Sequence, residues 1–257
     1  MPGDQARDGG WPAFAGSRSS ARYDHAFFQG MMLLATLIIL WGFAPSFFLR
    51  GLVPLTVSSY LDPPLQPIRW LYIAHGLVFS TWVALVLSQI ALVATGRTAV
   101  HRRLGRVAFV LAPCMIAIGL AATAYATRHG FHDVPTSAIT FSVVPVMDLA
   151  LFAAFVTAGL VFRRQPQIHK RWMLFAMIAI AEAGWSRIAI LNPGGLPLWV
   201  STELVLLVPI IVWDLMRLGR LHVVTLWGSV AIAGAFSLRL WIGATPAWHA
   251  LVTGLGG

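Results

Sequence analysis

Uncharged or nearly uncharged stretches of about twenty residues recur along this chain, and ~20 apolar residues are what a helix needs to cross the hydrocarbon of a bilayer. Phe27–Leu49 is the first. Trp70–Gly96 follows, interrupted only by His75 and Gln89, and then Val107–Thr127. Val134–Phe162 holds a single acid, Asp148, and Trp172–Leu191 holds Glu182 and Arg187. Pro197–Met216 holds Glu203 and Asp214, and Leu221–Gly243 holds His222 and Arg239. The pattern predicts an all-α, polytopic transmembrane bundle of about seven spanning helices over residues 25–243.

Charge supports that reading. Only 11% of the 257 residues are charged, against about a quarter in soluble domains. There is too little polar surface to cover a water-soluble globule, so a soluble enzyme, a disulfide scaffold and a disordered chain are all excluded. The formal charge of +9 would suggest nucleic acid if the basic residues shared one soluble face. They lie between apolar runs instead, so membrane lipid is the expected partner and nucleic acid is not. A membrane-protein partner or a homo-oligomer stays open. The one cysteine, Cys114, sits within an apolar run and forms no intrachain disulfide.

The loops set an orientation. Residues 1–24 are polar, lack a signal-peptide core and are expected to be a disordered cytoplasmic tail, with the first run a retained anchor. With that tail inside, the inward loops collect Arg7, Arg18, Arg22, Arg97, Arg102, Arg103, Arg106, Arg163, Arg164, Lys170, Arg171, Arg217 and Arg220. The opposite side has only Arg50, Arg69 and Arg128. The bias places the amino terminus in the cytoplasm and residues 244–257 as a short interfacial or periplasmic tail. Trp70, Trp172, Trp199 and Trp241 fall near helix ends, where aromatic anchors belong. Pro113, Pro145 and Pro209 are expected within helices, as kinks or functional breaks.

The inward loops repeat a motif. Gly96-Arg97 precedes His101-Arg102-Arg103-Leu104-Gly105-Arg106, Arg163-Arg164 precedes His169-Lys170-Arg171-Trp172-Met173, and Arg217 and Arg220 precede His222. Three imidazoles at one depth suit a transition metal or the axial positions of a haem; basic loops with interfacial histidines are the plainer account, and an anion site the third. The two longer loops, with His75-Gly76, Gln89 and Arg187, resemble an uncharacterised group of bacterial multi-spanning inner-membrane proteins over roughly residues 70–190. That resemblance implies a helical bundle in the bacterial inner membrane without assigning an activity. A looser similarity is to b-type membrane cytochromes, which implies haem b. On this reading His75, His101, His169 and His222 are the cofactor candidates.

A second constellation is intramembrane. Ionisable groups there cost ~2.5–3.5 kcal/mol each on insertion scales, so they face the protein interior and often carry function. His75, Asp148, Glu182 and Glu203 form a candidate metal set, since nitrogen and carboxylate ligands suit Zn, Fe or Mn and could also relay protons. Gln89, Arg187, Asp214 and Arg239 are further buried polar groups. Their structural alternatives are helix pairing for Glu182 and Arg187, an ion pair with Arg217 for Asp214, and snorkelling to the interface for Arg239. His75, Trp82 and Gln89 form a seven-residue stripe, and an eleven-residue spacing aligns Arg171 with Glu182 and Glu203 with Asp214. His129, His132 and Asp133 are a weaker metal candidate in an outward loop. No Walker loop, dinucleotide fingerprint, nucleophile elbow or zinc-protease helix occurs. A metal- or haem-binding redox protein is the leading expectation. A proton-coupled transporter or channel and a non-catalytic accessory subunit are its rivals.

Overall fold

A computed structural model describes residues 18–52, 70–131, 136–188 and 203–254, with side chains from Arg22 in the first stretch and from Leu204 in the last. Ten α-helices account for most of the described residues. They are α1 (Arg18–Phe43), α2 (Trp70–Ala94), α3 (Thr98–Leu104), α4 (Ala108–His129), α5 (Ala138–Phe141), α6 (Val143–Val161), α7 (Pro166–Trp185), α8 (Leu207–Leu218), α9 (Val223–Gly243) and α10 (Pro246–Gly254). The architecture is the all-α bundle that the apolar runs predict.

Among the described residues, five helical segments are long and apolar enough to cross a membrane: α1 with its continuation, α2, α3–α4, α5–α6 and α9. Their outer faces stay apolar. Leu37, Trp41, Val110, Trp227 and Leu238 are each more than half exposed, a belt that suits lipid and not water. The expected fifth span, Trp172–Leu191, corresponds to α7, which begins six residues earlier at Pro166 and carries Lys170, Arg171 and Glu182. Those charges are tolerable because α7 is the hub of the bundle. It packs against α1, α6 and α9, and every residue from Leu174 to Ala181 is buried. A helix apolar all round belongs in a core. The expected sixth span lies partly outside the described residues, which show a 3₁₀ turn at Glu203–Leu206 and then α8.

Small residues let the hub form. A Cβ on Gly42 of α1 would fall 1.9 Å from the Gly184 carbonyl oxygen, and one on Gly184 would fall 2.7 Å from the Ile39 Cα. The two backbones therefore touch, as small-residue membrane crossings allow. Trp82, 1% exposed, fills the space between α2 and α7, its ring N–H 3.3 Å from the Met177 sulfur and its edge against Phe152.

The three prolines fall within helices, as expected, at different positions along them. Pro113 lies inside α4, but Pro145 and Pro209 fall in the first turns of α6 and α8, where a missing N–H costs no helical hydrogen bond. The described residues nearest each terminus are helical and packed. Helix α1 starts at Arg18, within the expected tail, and Asp24 pairs with Lys170 of α7. At the other end α10 packs on α5: Trp248 donates to the Ile139 carbonyl at 2.9 Å, and His249 lies 3.1 Å from the Thr140 hydroxyl.

Candidate functional site

Two polar clusters occupy opposite ends of α7. Arg171 and Glu182 are eleven residues apart, about 16 Å along the axis at about 1.5 Å per residue. Each is met by a different helix.

At the basic end, Arg171 donates to the Asp214 carboxylate of α8 at 2.6 Å, and also to the backbone and side-chain oxygens of Gln167. The second Asp214 oxygen accepts the His222 backbone N–H at 3.1 Å. Asp214 thus pairs with Arg171 from another helix and not with Arg217 as the spacing suggested, because it faces the core, 0% exposed, while Arg217 is exposed beside Trp213. Asp24 of α1 accepts from Lys170, Gln167 and the Trp213 indole, and Trp213 stacks on Phe27. This cluster ties α1, α7, α8 and the start of α9 together. Gly219, at φ +65°, ends α8 in the left-handed conformation and turns the chain back toward it.

His222 belongs to that tie. Its Nδ1 caps α9 by accepting from the Val224 N–H at 3.1 Å. Burial and the Arg171 charge push its pKa down to about 4. His101 and His169 do meet, with ring centroids 6.3 Å apart, and Gln89 lies beside them.

At the other end lies a largely apolar cavity of about 230 Å³. Its walls include His75 from α2, Asp148 from α6, Glu182 from α7 and Arg187 from the turn that follows α7. The structure therefore gathers four of the residues that their membrane depth singled out. A fifth, Arg239 of α9, stands behind the carboxylates, with Nη1 3.4 Å from Asp148 and Nη2 4.0 Å from Glu182. It is 1% exposed, so it does not snorkel, and it brings a guanidinium from another helix to Glu182. Arg187 donates to the Ala183 carbonyl and covers the Phe43 ring, while His75 stacks on Phe79 with centroids 4.2 Å apart.

That arrangement bears on the metal expectation. Among the described residues no three His, Cys, Asp or Glu side chains gather closely enough to hold an ion. The two carboxylates face Arg239, and a guanidinium takes the place a cation would have had. The side chain of Glu203 lies outside the described residues, as do His132 and Asp133. His129 is exposed, stacked on Tyr125, with Nδ1 2.9 Å from the Tyr125 carbonyl.

Sequence reasoning missed another wall of the cavity. Beyond Phe43, α1 continues as a π-helical turn, Ala44–Phe48, an irregularity common at functional sites. That turn and the residues after it bring Ser46, Phe47, Phe48 and Arg50 to the cavity. Gly76 makes room for the turn, since a Cβ there would meet the Phe47 ring at 2.3 Å. Pro45 was the only available signal. No family model, curated protein or solved structure matches this chain.

Proposed function

We propose that this chain is a multi-pass protein of the bacterial inner membrane, amino terminus inside, whose cavity binds a lipophilic small molecule with a polar, electron-rich head. The head chemistry that fits is that of a membrane quinone, which would give the protein a redox role. One observation carries the reading: His75, Asp148 and Glu182 from three helices, with Arg187 from the turn after α7, converge on one mostly apolar cavity. Apolar walls with a few convergent polar groups are the usual make-up of a small-molecule site.

Size and chemistry support it. A cavity of ~150 Å³ takes a benzene ring, so about 230 Å³ suits a substituted ring with a tail leaving toward lipid. His75 and Arg187 can donate hydrogen bonds to a carbonyl or oxyanion, and Glu182 can exchange a proton with it. The buried middle of α7 favours binding over passage, which weighs against a transporter.

The test is solvent extraction and mass spectrometry of the purified protein, with an oxidised-minus-reduced ultraviolet spectrum. A stoichiometric quinone in wild type, reduced severalfold in His75→Ala and Glu182→Gln, is expected. The same lipophile content in wild type and both variants would overturn the proposal.

A further inference from the structure

The basic end holds three polar atoms with an unusual combination of burial and isolation. Both side-chain atoms of the Gln89 amide and the Nδ1 of His101 are shielded from solvent and hydrogen-bond to nothing. An orphaned buried polar group costs about 1–3 kcal/mol, so three at one place call for an occupant. They are at one place. Gln89 Oε1 would lie 3.7 Å from a Cβ on Gly105, one helical turn beyond His101, and the Gln89 backbone carbonyl faces the His101 ring.

The second imidazole completes the set. His169 Nδ1 lies 2.7 Å from the Gly159 carbonyl oxygen. A carbonyl only accepts, so that nitrogen carries the proton and Nε2 is left with a free lone pair. Metal-ligating histidines are commonly held in this way, one nitrogen on a backbone oxygen and the other on the ion. The ring centroids of His101 and His169 are 6.3 Å apart, nearly perpendicular at 79°. With a metal–nitrogen bond of ~2.0–2.1 Å, an ion lies about 3 Å from the centroid of its imidazole. The observed separation therefore fits two rings on opposite sides of one ion.

We propose that His101 and His169, with Gln89 Oε1 as a third and weaker ligand, form a binding site for a late transition-metal ion, and that the ion is Cu⁺. Imidazole suits copper, and a near-linear pair of nitrogens suits its d¹⁰ monovalent form. A single charge also meets the least repulsion from Arg102, the basic neighbour that acts on His101. The site is independent of the cavity at the far end, and either can stand without the other.

The experiment uses full-length protein without a histidine tag, stripped with chelator and kept anaerobic in detergent. Cu⁺ is titrated against a chromophoric Cu⁺ chelator. One Cu⁺ per chain is expected in wild type and in His222→Ala, none in His169→Ala, and roughly tenfold weaker binding in Gln89→Leu. X-ray absorption of the loaded wild type should show two imidazole ligands, a readout that does not depend on any variant folding. Failure of wild type to take up Cu⁺, uptake unchanged in His169→Ala, or a spectrum without two imidazoles would each overturn the proposal. So would a dry or water-filled site, which predicts that Gln89→Leu raises the melting temperature with no copper bound in either protein.

Discussion

Arg171 of α7 and Asp214 of α8 form an ion pair at 2.6 Å, with both side chains almost wholly excluded from solvent. Taking two charges out of water is costly, and the pair is supported by the Gln167 oxygens, which accept from Arg171, and by the His222 N–H, which donates to Asp214. Removing one partner leaves the other charge buried alone. Asp214→Ala is therefore expected to destabilise the protein by ~3–5 kcal/mol, and the apolar double replacement Arg171→Met/Asp214→Leu by clearly less. Denaturation in detergent compares them; equal losses would show that the pair adds nothing as a pair.

The same reasoning applies to Arg239, which faces Asp148 and Glu182 together. Arg239→Met leaves two carboxylates without that guanidinium and should cost more stability than Glu182→Gln, which removes one charge and keeps its shape. A melting temperature lowered more by Glu182→Gln than by Arg239→Met would contradict the assignment.

His222 supplies a pH dependence. Its folded pKa, pushed down to about 4, lies below the ordinary value of 6.5. Burial is the main cause, and Arg171, Lys170 and Arg220 add to it while Asp214 opposes it. The unfolded chain thus binds this proton more readily than the folded one, so stability falls as pH drops from about 6.5 toward 4 and is full above that window. Protonation also removes the lone pair that caps Val224. His222→Asn, which can still cap, should flatten this part of the stability–pH curve.

The contact of α1 with α7 predicts a sharp asymmetry among glycines. Gly42→Ala and Gly184→Ala place a methyl group against backbone atoms of the neighbouring helix and should each cost at least ~1–3 kcal/mol by forcing the helices apart. Gly30→Ala, on the same helix as Gly42, meets nothing within 4 Å and should be neutral or slightly stabilising. Thermal melts of the three variants settle the point.

Orientation is testable at two exposed sites. In a Cys114→Ala background, Ser137→Cys should react with a membrane-impermeant thiol reagent from outside intact cells, and Val100→Cys should react only after lysis. The reverse pattern would invert the topology.

What the linear chain determined by itself is the solvent it folds in and the inventory of its interior. Runs of uncharged residues demand helices, because backbone groups in lipid must bond within their own segment. The few ionisable residues inside those runs must turn inward, which is why His75, Asp148, Glu182 and Glu203 are legible as a set in the sequence, with Arg187 as a further inward-facing group. Their partners are not. Asp214 has Arg217 three residues away and joins Arg171 instead, because α8 turns that face to the core. Glu182 and Asp148 meet Arg239, ninety-one positions from Asp148, since α6, α7 and α9 pack side by side. The π-helical turn reads as the end of the first spanning run and Arg50 as a loop residue, and only the crossing of α1 and α2 makes them a cavity wall. Periodicity fixes which face of a helix is buried; which helix it faces depends on tertiary packing, and so does whether a carboxylate meets a guanidinium, a metal or a ligand.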